Sequence, residues 1–344
     1  MRDCADRPHG LRRGLHREAF AARRGFQKSR QKPQTLGFQG GAGLKTLGID
    51  VGGTRIKSGL LGAGGKIIRL PSVDFNADPA AIFRAVKNSA GMTSAYARVG
   101  VAVAGDIDTA LGIVRFSPNL GWKNVHIGTI ARKILGKPVV VENDANAAAM
   151  GAWMLDGAKR YSDIVCVTMG TGVGGGIIAG GKLLRGATGS AGEIGHMTYK
   201  PDGVKCSCGN SGCFERYLGR DAIVARFLEI SRRRKSGSAK NVTPMTVAAL
   251  AAEGDRAALE TWRRTGEILG VLLADIVDAL NPSAVIIAGA VSRAADFFLP
   301  AAVAEMRKRA FKHPARSVRI MVTGHDDILG AAGAALIASA PSKK

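Results

Sequence analysis

No apolar run in this 344-residue sequence approaches the roughly 18 to 20 residues needed to cross a bilayer. The best candidate, residues 328–340, is short and rich in Ala and Gly, and reads as a buried terminal helix. An apolar core of the kind found in secretory signals is also missing near the N-terminus. Cysteine is scarce: there are five, three of them clustered, which speaks against a disulfide-built secreted domain and for a reducing cytoplasm. Acidic residues are few, 27 against 49 basic, giving a formal charge of +22. Such an excess raises the question of nucleic acid. Much of it is local, however, because residues 1–43 hold ten Lys/Arg against three Asp/Glu and Arg232-Arg233-Arg234-Lys235 adds a second cluster. A protein handling nucleotide and sugar phosphates tolerates the same positive field. A hydrophobic share of 46% with 22% charged residues describes a globular chain, long enough for two domains.

What is present is organised around residues 193–215: E-I-G-H, nine residues, then C-S-C-G-N-S-G-C-F-E. Cys206, Cys208 and Cys213 with His196 form the set of four soft donors that a closed tetrahedral zinc site requires. The plain alternatives are buried cysteines or a disulfide, but a Cys206–Cys208 bridge would close a very tight ring and strand the third thiol. A closed site leaves no open coordination position, so zinc here shapes a loop. Glu193 and Glu215, which bracket the loop, are candidates for gripping a ligand.

Order is expected to begin at Lys45, residues 1–43 being without periodicity and predicted disordered. An organellar targeting peptide and an upstream extension from a misassigned start are the other readings of that segment. Strands are predicted at 46–51, 56–61 and 66–73, forming a meander around glycine turns, then a helix capped by Asp78 and a buried strand at 97–104. Residues 105–124 read as a looser stretch carrying S-P-N-L-G-W. A helix at 127–135, a strand at 138–142 and a helix at 145–154 come next. The pattern then restarts with a strand at 164–168 and a Gly-rich turn. Residues 177–185 match residues 61–69 closely at a spacing of 116, which implies a duplicated α/β unit. Helices are predicted at 220–228, 246–252, 255–280 (stopped by Asn281-Pro282), 294–310 and 326–340, with strands at 284–288 and 318–322.

Two glycine turns occupy equivalent places in the two repeats. The first, D-V-G-G-T-R-I-K, sets Asp50 at a strand end before Gly52, Gly53 and Thr54, with Lys57 beyond. Exposed backbone N–H groups, a hydroxyl and an ammonium suit a phosphate, and the carboxylate suits Mg²⁺. A plain hairpin turn is the simpler account of this segment taken alone. The second turn runs from Gly170 through Thr171 and Gly172 to Gly176. Its G-x-G-x-x-G does not fit a dinucleotide fold, because a strand succeeds it rather than a helix. The pair argues for a nucleotide held in a cleft between two domains. In Glu142-Asn143-Asp144-Ala145-Asn146 a strand ends and a helix opens; one residue serves as N-cap, and Asp144 is the best-placed general base. Asn143 offers an amide to a neighbouring hydroxyl, and Asn119 offers another unless S-P-N-L-G-W is only a surface turn.

Together D-V-G-G-T-R-I-K, S-P-N-L-G-W, E-N-D-A-N-A-A-A-M-G, T-M-G-T-G-V-G-G-G and G-E-I-G-H…C-x-C-G-x-x-G-C-x-E resemble the ROK family (repressor, open reading frame, kinase) over residues 45–340. The resemblance implies a duplicated actin-like ATPase (ribonuclease-H-like) α/β fold. Its two domains, 44–142 joined by the helix at 326–340 and 143–325 with the zinc loop, would flank a closing cleft. It implies phosphorylation of a hexose 6-hydroxyl by ATP with Mg²⁺, glucose being the first choice because N-L-G-W-K-N is similar to the family's glucokinases. Mannose, N-acetylglucosamine, N-acetylmannosamine and fructose remain open as acceptors, and polyphosphate as donor. By the same resemblance Asp144 takes the hydroxyl proton. Asn119, Asn143, Asp144, Glu193, His196 and Glu215 line the sugar. Cys206, Cys208, Cys213 and His196 hold Zn²⁺, and Gly289 lies in the adenosine-side turn, where Ala290 replaces a common second glycine. A cytoplasmic homodimer or homotetramer is expected, with no nucleic-acid or membrane partner. The family's repressors carry an N-terminal winged helix-turn-helix that residues 1–43 are too short to form.

Overall fold

A computed structural model describes residues 45–90, 96–234 and 241–340, all within one compact unit. The expectation of disorder for residues 1–43 lies outside the described residues. The first half begins with β1 (Thr46–Val51), β2 (Arg55–Leu61), β3 (Ile67–Arg69), β4 (Val73–Asp74), α1 (Pro79–Ala90) and β5 (Arg98–Val103). It continues through β6 (Asp106–Asp108), β7 (Ile113–Ser117), β8 (Trp122–Val125), α2 (Ile127–Leu135), β9 (Val139–Asn143) and α3 (Asp144–Leu155). The second half holds β10 (Ile164–Met169), β11 (Val173–Ala179), β12 (Lys182–Leu183), a 3₁₀ turn at Ile194–His196, α4 (Glu215–Leu218), α5 (Arg220–Arg233) and α6 (Pro244–Ala252). It ends with α7 (Arg256–Leu280), β13 (Ala284–Ala288), α8 (Ala295–Arg309), α9 (Lys312–Ser317), β14 (Arg319–Val322) and α10 (Leu329–Ser339).

The repeat seen in the sequence is a repeat in topology. One sheet runs β3-β2-β1-β5-β9, with β4 also on β2, and the other runs β12-β11-β10-β13-β14. In each, the leading strand (β1 or β10) pairs antiparallel with the next (β2 or β11) and parallel with β5 or β13. Alternation then sorts the two faces, because successive side chains on a strand point to opposite sides. Leu47, Ile49 and Val51 of β1 and Val99, Val101 and Val103 of β5 face α1 and α2, where Phe83 and Ile127 are fully buried. The intervening Gly48 and Gly100 face α10, whose backbone comes so close that a Cβ on either would sit 1.8–1.9 Å from a carbonyl oxygen. In β10, Val165, Val167 and Met169 join the large core under α5–α8, while Ile164 and Cys166 pack with the alanines of α3.

Each long helix therefore covers the sheet of the other half. α3 leaves the first sheet and lies on β10 and β11; α10 leaves the second and lies on β1, β2 and β5. The two helices cross where each presents a glycine, Gly151 against the carbonyl of Leu329 and Gly333 against that of Ala147.

Three expectations need correction. Residues 105–124 are not loose: β6, β7 and β8 form a three-stranded sheet. Its strands of three to five residues are too short to show alternation, and Gly112 and Gly121 at positive φ turn the chain between them. The second glycine turn ends at Gly172. Gly174, Gly175 and Gly176 lie in β11, paired with Thr168, Val167 and Cys166. They are small for packing: a Cβ on Gly176 would lie 2.5 Å from that of Ala149 on α3. Finally, α9 was missed because Pro314 reads as a breaker, whereas in a first turn proline has no N–H to lose.

Candidate active site

The first turn hangs from the end of β1. Asp50 stands opposite Lys57 in the hairpin register, and Gly52, Gly53 and Thr54 form the exposed tip. Asn119, between β7 and β8, borders this tip, its carbonyl 3.4 Å from where a Gly53 Cβ would be. Asp50 itself points at α10, and a Cβ on Gly330 would come within 2.6 Å of its carboxyl carbon. Burial pushes its carboxyl up to about 6; Lys57 pulls it down and the charge of Asp144 adds to the rise.

Asp144 is the first residue of α3, but it does not cap that helix. Asn143 does, its Oδ1 accepting from the backbone N–H groups of Ala145 (2.9 Å) and Asn146 (3.1 Å). The Asn143 Nδ2 donates one proton to the Gly105 carbonyl at 3.1 Å, leaving one for a ligand. With the cap supplied by its neighbour, the Asp144 carboxylate is free of that duty. Burial raises its pKa, against the Ala145 N–H, which lowers it. Glu193 is raised too, by burial first, with His196 opposing and Asp144, Asp106 and Glu215 adding their repulsion. The charge of Asp144 is thus felt by the carboxylate of the first turn and by that of the cysteine loop.

The cysteine loop closes as its spacing predicted. One donor atom each from His196, Cys206, Cys208 and Cys213 lies within 4.8 Å of every other. His196 Nδ1 is 3.7 Å from Cys206 Sγ, and Cys208 Sγ is 3.6 Å from Cys213 Sγ. Ligands about 2.0–2.3 Å from a tetrahedral ion are separated by distances of this size, so the donor set fits zinc. Among the described residues no disulfide forms, and Cys206, Cys208 and Cys213 are free thiols. The other ring nitrogen, Nε2, turns to Glu193 Oε2 at 3.9 Å. Glu215 opens α4 and reaches the second turn: its Oε2 accepts from the Val173 N–H at 3.2 Å and lies so near Gly172 that a Cβ there would be 2.1 Å away. The loop thereby touches the second glycine turn, closed by Gly170 N–H to the Gly172 carbonyl at 2.9 Å with Thr171 exposed at its tip.

Gly289, at φ +89°, abuts the backbone of Met169 just before that turn. Its N–H is already given to Asp326 Oδ1 at 2.7 Å, so it adjoins the turn without a free donor.

A family model described as the ROK family matches residues 46–340. The chain belongs to the ROK family. Its fold is the actin-like, duplicated α/β ATPase fold of that family. A glucokinase of Streptomyces coelicolor is 34% identical to this ROK protein over 267 residues, 74% of this chain and 84% of its own. A xylose repressor of Caldicellulosiruptor bescii is 29% identical over 315 residues, 86% of this chain and 79% of its own. Among solved structures, a ROK family glucokinase from Streptomyces griseus in complex with glucose and AMPPNP matches with a TM-score of 0.76 and 31% identity. That match covers 86% of this chain and 99% of the glucokinase. No helix among the described residues is long and apolar enough to cross a membrane.

The sequence reading left two groups beside the site without a role. Asp106 accepts from Arg115 Nη1 at 2.8 Å and from Ser190 Oγ at 3.4 Å, linking the small sheet to the loop that leads to Glu193. Glu142, buried at the end of β9, accepts from Arg185 Nε at 2.8 Å. Arg185 occupies the last position of the duplicated segment, matching Arg69, and that match was the available signal.

Proposed function

We propose that this protein phosphorylates a hexose at the 6-hydroxyl with ATP, glucose being the preferred acceptor and Asp144 the general base. What carries the reading is Asp144 itself, half-buried at the head of α3 and relieved of the cap by Asn143. It is near enough to Asp50 and Glu193 for its charge to raise both, and its own pKa is raised by burial. Asn119, Asn143, Glu193, His196 and Glu215 frame the sugar. Gly52, Gly53, Thr54 and Lys57 receive the phosphates from one side, and Gly170, Thr171 and Gly172, beside Gly289, receive them from the other. Asp144 accepts the hydroxyl proton, the freed oxygen forms a bond to the γ-phosphorus, and the bond to the departing ADP breaks. Such a transfer needs positioning and charge neutralisation more than covalent help. Asp50, a half-buried carboxylate with a second one near it, suits Mg²⁺, which would neutralise phosphate charge when bound. Zn²⁺ in the thiol–imidazole set holds the loop shape that presents Glu193, His196 and Glu215.

The glucokinases among the relatives support the substrate class. The xylose repressor supports a rival, a sugar-sensing regulator, which needs no base. ADP release measured across glucose, mannose, fructose, N-acetylglucosamine and N-acetylmannosamine tests the proposal. Glucose should give the largest kcat/KM. The absence of sugar-dependent ADP release, with a shifted DNA band at physiological salt, would sink it.

A further inference from the structure

Both halves carry an arginine just beyond a glycine turn, Arg69 after Gly64-Gly65 and Arg185 after Gly180-Gly181. Each reaches a carboxylate two residues ahead of the helix that covers its own sheet. Arg69 pairs with Asp327, two before α10; Arg185 pairs with Glu142, two before α3. The duplication has thus made two reciprocal clamps, each tying a sheet to the helix contributed by the other half. They differ in burial. Arg69 and Asp327 are 56% and 44% exposed, whereas the Glu142 side chain is 2% exposed. They differ also in the residue that heads the clamped helix, Leu329 for α10 and Asp144 for α3.

Both oxygens of Glu142 are committed. Oε2 accepts from Arg185 Nε, while Oε1 accepts from the Asn143 backbone N–H and from Asn146 Nδ2, each at 3.1 Å. The two groups held by Oε1 flank Asp144 on either side. Any swing of the Glu142 carboxylate is therefore passed to the first turn of α3 and to the base it carries. Arg185 is the charged donor holding that carboxylate, and it comes from the other half, two residues beyond β12.

We propose that Arg185 is a positioning residue for the phosphoryl transfer: through Glu142 it fixes the backbone from which Asp144 meets the acceptor hydroxyl. The inference rests on the kinase reading above. A displacement of about 1 Å in a reacting group can cost on the order of 10²-fold in rate. Arg185→Gln in the full chain should therefore lower kcat by about 10- to 100-fold. The KM values for hexose and ATP should each stay within about threefold, since neither is gripped by Arg185. Amide exchange at residues 143–146, followed without substrate, should quicken by about tenfold or more. Arg185→Lys, which keeps the charge and loses the planar fork, should regain part of the turnover. An unpaired buried Glu142 can itself unfold the protein. In that event the neutral double variant Glu142→Gln/Arg185→Gln supplies the folded form, with the same loss in kcat. A folded Arg185→Gln or double variant turning over within about threefold of wild type overturns the proposal. So does unchanged exchange at 143–146. Wild-type protein without hexose-dependent turnover overturns the kinase reading instead, so the two failures are told apart.

Discussion

The two halves share one strand order and nearly one meander, yet they carry different residues at matching places. At the fifth position of the leading strand the first half has Asp50 and the second has Thr168; at the head of the crossing helix the first contributes Asp144 and the second Leu329. The second half instead invests its insertion between β12 and α5 in the thiol–imidazole loop. Duplication supplies a symmetric frame, and at these two places charged groups stand on one copy where neutral ones stand on the other. The glycines obey the same logic. Gly48 and Gly100 admit α10 to the first sheet, and Gly174 and Gly176 admit α3 to the second. Close packing of the crossing helices is common to both halves, whereas Asp50 and Asp144 have no carboxylate at the matching place in the second.

The hardest way to break this asymmetry is at Asp144. Asp144→Asn leaves the Asn143 cap intact and removes the proton acceptor, so turnover should fall by about 10²- to 10⁴-fold with little change in melting temperature. Turnover within about threefold of wild type would reduce Asp144 to a structural residue. Next comes the loop that only the second half owns. Cys208→Ser should lower zinc content by elemental analysis and raise the KM for the sugar by about tenfold or more, ATP affinity changing less. Intact sugar affinity in metal-free mutant protein would uncouple loop and site.

A smaller effect separates Asp50 from its neutral counterpart Thr168. A carboxyl raised from 3.8 to about 6 binds its proton more tightly in the folded state. Its contribution to stability is present below the unfolded value of 3.8 and is lost as the pH rises through about 6. Asp50→Asn should accordingly raise the stability of substrate-free protein by on the order of 2 kcal/mol at about pH 7–8 and hardly at all at about pH 4. Denaturant unfolding at the two pH values checks the sign. In the wild type, activity should decline below about pH 6 as Asp50 takes up its proton, and Asp144, also raised by burial, should deepen that acid loss. The least effect is expected at the exposed clamp. Arg69→Gln should cost no more than about 1 kcal/mol and leave kcat within about twofold. A loss matching that of Arg185→Gln would show that the two clamps do not differ in role.

The sequence by itself determined the elements with strong local signals. The apolar runs of β1, β10 and β13, the helices over 127–135 and 256–280 and the stop at Asn281 arise from periodicity, capping and αL residues, all set by near neighbours. The His196–Cys206–Cys208–Cys213 set was legible for the same reason, since thiols spaced along one loop can converge without distant help. The three short strands of 106–125 were not, being held by their pairing with one another rather than by any pattern of their own. Only the tertiary structure decided that α3 and α10 exchange sheets, that Asn143 rather than Asp144 caps α3, and that Gly174–Gly176 serve packing. Each depends on a backbone arriving from a distant part of the chain or on which of two adjacent polar side chains turns inward. The same holds for Glu142 and Arg185. Along the chain they are a strand-end carboxylate and a turn arginine, and only the folding of one repeat onto the other makes them partners.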